Sequence, residues 1–176
     1  VVVIDILRAT STMTVAMENG ARAIYPVRDV ETASRAGSSF VKAGERNGEK
    51  VSGFDLGNSP REFHPDIVRN KDIVMTTTNG TRAIAMSENA EEILIASYRN
   101  IDATIKRLIE KNQDVILFCS GWKDVVNVED TLFAGELAHV LQEKGYKIEN
   151  DATYVAMAIY KQHQNAPKEI ISKASH

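Results

Sequence analysis

Ile73-Val74-Met75-Thr76-Thr77-Thr78-Asn79-Gly80-Thr81-Arg82-Ala83-Ile84-Ala85-Met86 is the stretch whose reading decides the fold. An apolar run of strand character ends in a glycine turn, and a segment suited to a helix follows. A strand that turns into a helix in this way aims free backbone N–H groups and the positive end of the helix dipole at one spot. Residues 76–82 add hydroxyls, an amide and a guanidinium there, so the segment predicts an anion site with phosphate as the expected occupant.

A turn of the same build opens the chain, where Val1-Val2-Val3-Ile4-Asp5-Ile6 runs into Leu7-Arg8-Ala9-Thr10-Ser11-Thr12. Arg again sits beside hydroxyls, and Asp5 adds a carboxylate at the carboxyl end of a strand that reads as buried. Ligands of open α/β sheets bind at that edge. Outward from these two turns, the pattern predicts strands over 1–6, 22–26, 73–76, 93–96 and 115–119. Helices are predicted over 12–18, 30–43, 81–87, 100–111, 128–144 and 151–162, with a helical tail from 154 onward. Gly20 and Gly145 stand where helix-terminating glycines fall, and Asp29 and Asn100 where N-caps fall. The alternation predicts a three-layer α/β/α fold with a mainly parallel or mixed central sheet. Residues 44–72, rich in Gly and carrying Pro60 and Pro65, form the least regular segment, and a long irregular stretch in a compact domain is more often functional than idle.

Composition narrows the class. With 176 residues, 43% hydrophobic and 26% charged, the chain has the size and make-up of a single globular domain. A formal charge of −3 argues against a general nucleic-acid surface. The single cysteine, Cys119, allows no internal disulfide and makes a reducing cytoplasm the simplest home. No signal peptide or membrane-length apolar stretch is present. The chain opens inside a strand pattern and stops abruptly at Ser175-His176, so one domain over 1–176, truncated at both termini, is the expectation.

Other constellations carry two readings each. In Gly53-Phe54-Asp55-Leu56-Gly57-Asn58-Ser59-Pro60-Arg61-Glu62 the carboxylates Asp55 and Glu62 offer hard oxygens of the kind Mg²⁺ takes. The same residues read as an Asn-Ser-Pro turn capping a helix with Pro60 at N1 and Glu62 closing a capping box. Glu129 and Asp130 are adjacent, about 100° apart on a helix, so one of them is expected to face a given site, and both also suit a first helical turn. Cys119 at a strand end lacks the Arg six positions on that a cysteine phosphatase requires, and a packing role fits it better. Asp5 has Leu7 where a haloacid dehalogenase phosphatase has its second Asp. The chain holds no Walker loop or G-x-G-x-x-G, and His64, His139 and His163 show no metal spacing.

Taken together, residues 3–12, 53–60, 76–83 and 129–135 resemble, in order, the motif set of the 2-phosphosulfolactate phosphatase family. The resemblance runs over the whole chain, and Ser175-His176 matches the start of a further family motif. Ser120 and Phe133 depart from the pattern, where a small apolar residue and often a cysteine are expected.

The resemblance implies a Mg²⁺-dependent phosphatase that converts 2-phosphosulfolactate to sulfolactate and phosphate, a step on one route to coenzyme M. It implies a small anionic phosphorylated substrate, with no nucleic-acid or membrane partner, and leaves homo-oligomerisation open. Asp5, Arg8 and Arg82 are the expected catalytic residues. Thr10, Ser11, Asn58, Ser59, Thr77, Thr78, Asn79, Gly80 and Thr81 are the expected substrate contacts. Asp5, Asp55 and Glu129 are the expected Mg²⁺ ligands, and Arg8 and Arg82 offer planar forks that match tetrahedral oxyanions. Attack by a metal-activated water is the preferred scheme and an aspartyl-phosphate on Asp5 its alternative. The rival class is a non-catalytic sensor or carrier of a small phosphorylated acid. A purely structural protein comes third, because it has no use for the hydroxyl-rich turns.

Overall fold

A computed structural model describes residues 1–174, so the expectation attached to Ser175-His176 lies outside the described residues. The strand β1 (Val2–Ile4) is an unbroken apolar run, fully buried, as a parallel strand covered on both faces must be. It lies between β6 (Leu94–Ala96) and β7 (Leu117–Cys119), parallel to both, with Val2 opposite Leu94 on one side and Leu117 on the other.

A second sheet has the order β2 (Ala23–Pro26), β5 (Asp72–Thr76), β3 (Phe40–Arg46), β4 (Glu49–Lys50). Its first three strands are parallel, and β4 returns antiparallel to β3. The class is the three-layer α/β/α arrangement, with its strands divided between two sheets.

Two helices join the sheets. The chain leaves β1 through α1 (Ala9–Glu18) to reach β2, and leaves β5 through α4 (Gly80–Met86) to return to β6. Side-chain alternation shows how the layers stack. Val2 and Ile4 face a core closed by Leu108 of α5 (Ile101–Lys111) and by Phe133, Leu137 and Leu141 of α6 (Val128–Glu143). Ile73 and Met75 of β5 face a middle core shared with Met13 and Ala16 of α1 and bordered by Ile95 of β6. Val74, on the opposite face of β5, packs with Ala33 of α2 (Val30–Ser34).

The predicted helix over 30–43 is corrected. Asp29 does cap it, accepting from Thr32 N–H at 2.6 Å, but α2 ends at Ser34. Gly37-Ser38-Ser39 interrupts the helical pattern, and Phe40 onward pairs with β5, Phe40 opposite Asp72 and Gly44 opposite Thr76. Tertiary pairing overrides local helix preference here. Part of the irregular segment 44–72 is therefore a β3–β4 hairpin, whose Asn47-Gly48 tip has φ of 54° and 85°, a recognised tight-turn signature. The rest contains a single 3₁₀ turn (Pro60–Glu62) and α3 (Pro65–Val68). Glu62 accepts from Gly57 N–H at 2.8 Å, so it ties the loop instead of closing a capping box on Ser59.

The chain ends in α7 (Asp151–His163) and α8 (Pro167–Ile171). α6 and α7 pack against each other along their length, and Gly135 of α6 lies where any Cβ would run into the Ala156 carbonyl of α7. Gly135→Val is expected to destabilise the fold by about 1–3 kcal/mol through overpacking. Thermal unfolding followed by circular dichroism should show a melting temperature several degrees lower. An unchanged midpoint would mean the two helices separate at little cost.

Candidate active site

The carboxyl ends of β1 and β5 meet. A Cβ on Gly80 would lie 2.6 Å from Asp5 Oδ2 and 2.5 Å from the Ala9 Cβ, so only glycine permits the start of α4 to approach the start of α1 this closely. Asp5 itself is 7% exposed, and its Oδ1 accepts from Ala9 N–H at 3.1 Å. The two predicted turns thus form one place, with Asp5 between them.

Both turns are braced by the same device. Thr10 Oγ1 donates to the Asp5 carbonyl at 2.8 Å and accepts from Asp5 N–H at 3.1 Å. In the second turn Thr81 Oγ1 donates to the Thr77 carbonyl at 3.0 Å and accepts from Thr77 N–H at 3.1 Å, while Thr81 N–H donates to Thr77 Oγ1. Ser11 Oγ donates to the Ile6 carbonyl at 2.8 Å. These hydroxyls, expected as substrate contacts, hold the turns in shape. Thr78 and Asn79 are half-buried and reach the surface of the turn.

Two acidic side chains that sequence reasoning did not select join Asp5. Asp130, at the start of α6, is fully buried, and its Oδ1 accepts from Ile6 N–H at 2.8 Å. Its Oδ2 accepts from Asn127 Nδ2 at 3.0 Å and from Ser120 Oγ and Gly121 N–H at 3.3 Å. Glu45 of β3 accepts from Thr78 N–H at 2.7 Å, from Thr78 Oγ1 at 3.1 Å and from Gly48 N–H at 2.8 Å. Burial, then the charges of Asp130 and Glu45, raise the Asp5 carboxyl from 3.8 to about 7. Burial also raises Asp130, to about 6, against the pull of the Ile6 N–H and the Asn127 amide.

The three expected metal ligands are placed differently from one another. Asp5 stands at the centre. Glu129 is fully buried, its Oε1 accepting from Asn127 Nδ2 at 3.0 Å, beside Asp130, so both acids of the pair are drawn inward. Asp55 is exposed and accepts from Lys42 N–H at 2.8 Å, extending the edge of β3. Asn58 is buried, with its carbonyl accepting from Thr12 Oγ1 at 3.1 Å, and Ser59 is half-buried at the entry to the 3₁₀ turn.

The amide oxygens of Asn58 and Asn127 are buried without a hydrogen-bond partner among the described residues. Also among the described residues, no three His, Cys, Asp or Glu side chains converge closely enough to enclose a metal. A hard divalent cation bound here would take the Asp5 and Asp130 carboxylates, with the orphaned Asn127 amide oxygen and water. Mg²⁺ is commonly held by one or two carboxylates in this way.

Arginines lie at both turns. Arg8 Nη2 donates to the Gly48 carbonyl at 3.3 Å, reaching from the first turn to the hairpin tip. Arg82 is exposed and paired with Asp124 at 2.8 Å. A cavity of about 320 Å³ beside the second turn is lined by Arg28, Arg46, Thr78, Arg82 and Met86. Cys119 packs into the first core, and burial raises its thiol to about 12, which keeps it protonated and unsuited to nucleophilic attack.

The raised carboxyls set a pH dependence of stability. The folded chain keeps protons on Asp5 and Asp130 that the unfolded chain releases near 3.8, so this pair favours folding most at low pH and progressively less as pH rises through about 6–7. Without divalent cations, Asp5→Asn should unfold at higher denaturant than wild type at pH 8, by on the order of 2–4 kcal/mol. The gap should narrow as pH falls below about 7 and close only below about pH 4, where Asp5 is protonated in both the folded and the unfolded chain. A variant no more stable than wild type at pH 8 would contradict the buried-charge assignment.

Comparison with known proteins shows the family. The family model described as 2-phosphosulpholactate phosphatase matches residues 1–176. A protein of Clostridium acetobutylicum named probable 2-phosphosulfolactate phosphatase is 39% identical over 180 residues, covering 99% of this chain and 76% of the relative. One of the same name from Caldanaerobacter subterraneus is 37% identical, covering 100% and 75%. A third, from Pseudothermotoga lettingae, is 45% identical over 145 residues, covering 81% of this chain and 62% of the relative. With its matched turns closed around Asp5, the chain belongs to the 2-phosphosulfolactate phosphatase family.

Proposed function

We propose that this chain hydrolyses 2-phosphosulfolactate to sulfolactate and inorganic phosphate with Mg²⁺ as its cofactor. The observation that carries the reading is the buried Asp5–Asp130 pair at the carboxyl end of β1, where two arginine-bearing turns meet, in a member of this family. Carboxylates collected beneath an anion-binding rim serve an anionic ester only when a cation is held between them. Asp5, Asp130 and the Asn127 amide oxygen would hold Mg²⁺, which neutralises phosphoryl charge and acidifies a bound water.

The remaining work falls to the chain's own groups. Arg8 and Arg82 orient the phosphate by charge-assisted contacts. A water oxygen forms the new bond to phosphorus, the ester P–O bond breaks, and the sulfolactate oxygen leaves and takes up a proton. Asp5 has one oxygen held by Ala9 N–H and the other pressed against Gly80. That enclosure favours direct attack by water over a phosphate carried on Asp5.

The competing reading is a binder without turnover. Release of inorganic phosphate from 2-phosphosulfolactate, measured with Mg²⁺ and with chelator, separates the two. Wild type should release phosphate only with the metal, and Asp5→Asn should be slower by about 10²-fold or more, roughly 2.7 kcal/mol of transition-state stabilisation. Arg8→Ala should chiefly raise KM, by a contact worth about 1.5–3 kcal/mol. Near-normal turnover by a folded Asp5→Asn protein would remove Asp5 from the chemistry.

A further inference from the structure

We propose that Arg28 and Arg46, which line the cavity beside Thr78 together with Arg82, form the subsite for the substrate's sulfonate. The inference builds on the phosphatase reading above and adds residues outside the two turns. A substrate with phosphate, carboxylate and sulfonate on a three-carbon frame needs a second tetrahedral-anion site close to the first. Thr78 is two residues from Gly80, the residue against Asp5, which puts the two Cα atoms within about 7.6 Å of each other. The cavity, about 320 Å³, has the size of a small-molecule cleft.

Arg46 is fixed in place by neutral acceptors. Its Nη1 donates to the Glu45 carbonyl at 2.6 Å, and its Nη2 to Thr76 Oγ1 at 2.7 Å and to the Arg28 carbonyl at 3.1 Å. None of the ion pairs among the described residues includes Arg46 or Arg28. Arg28 is exposed, and its Nη2 makes a long 3.4 Å contact to the Ala85 carbonyl. Three acids lie nearby: Glu45 accepts from the Thr78 N–H and hydroxyl, Asp124 pairs with Arg82, and Asp29, at the cap of α2, feels the charge of Arg46. Asp29 already accepts from the Thr32 N–H and hydroxyl. The cavity therefore presents two guanidinium forks, Arg28 and Arg46, free of a carboxylate pair, and a third beside them that Asp124 holds. Planar forks with several N–H donors suit the three oxygens of a sulfonate.

The test compares 2-phosphosulfolactate with 2-phospholactate, which keeps the phosphate and carboxylate and lacks the sulfonate. With Mg²⁺ present, the ratio of kcat/KM for the sulfonated over the unsulfonated ester should fall at least tenfold in Arg28→Ala and in Arg46→Lys, each checked for wild-type melting. A ratio equal to wild type in Arg28→Ala, whether activity is kept or lost equally on both esters, overturns the subsite. If wild type hydrolyses neither ester, the phosphatase reading fails and calorimetric titration decides the subsite by itself. Sulfolactate should then bind wild type more tightly than lactate does, and at least tenfold more weakly to Arg28→Ala. Equal binding of the two acids, or no loss in the variant, would overturn it.

Discussion

The structure depends on the contact of Gly80 with Asp5. Two sheets, each too small to bury both of its faces alone, are joined where α1 leaves β1 and α4 leaves β5, and the junction closes only because residue 80 has no Cβ to strike Asp5 Oδ2 and Ala9. Closing it covers the middle core of Met13, Ala16, Ile73 and Met75. The same closure strips water from Asp5. Packing and chemistry are therefore linked at one atom pair: the burial that completes the core is the largest influence raising the Asp5 carboxyl to about 7.

Much of this was legible in the sequence because it lies in short, local patterns. Val1–Ile6 reads as a buried strand by its unbroken apolar run, and the Gly80 turn by its hydroxyls and glycine. What was not legible depends on pairing across long separations. Residues 40–46 read as the end of a helix and its aftermath, and only β5, some thirty residues on, makes them a strand. Glu45 and Arg46 were lost with that misreading, and with them the acid that braces Thr78 and the cation beside the cavity. The Asn47-Gly48 dipeptide was the available signal.

Glu129 and Asp130 show a different limit. Helical geometry turns neighbours about 100° apart, and that reasoning expects one of them at a site. Both are buried here because Asn127, just before the helix, places its amide nitrogen against both carboxylates at 3.0 Å. A side chain outside the periodic segment decides where the periodic ones sit. Likewise the threonines singled out as ligand contacts carry the turns' own hydrogen bonds, since a tight turn must satisfy its backbone before it can offer anything to a ligand.

Depth reconciles acidic and basic groups in one site of a chain whose net charge is −3. Asp5, Asp130 and Glu129 lie under the surface, whereas Arg28 and Arg82 are exposed and Arg8 and Arg46 half-buried. An approaching polyanion meets the guanidinium field first, where water weakens it but leaves enough to steer encounter. The carboxylates act only at short range, beneath that rim. Thr78 stands at the boundary, its N–H and hydroxyl held by Glu45 from below while it lines the arginine cavity. An ester with three anionic groups bound there would be pulled by its distal charges toward the arginines and by its phosphoryl group toward the buried acids only if a cation neutralised those acids. With Mg²⁺ bound as proposed, the layering would couple substrate affinity to metal occupancy with no moving part, because the negative charge that would draw a divalent cation otherwise repels the ester.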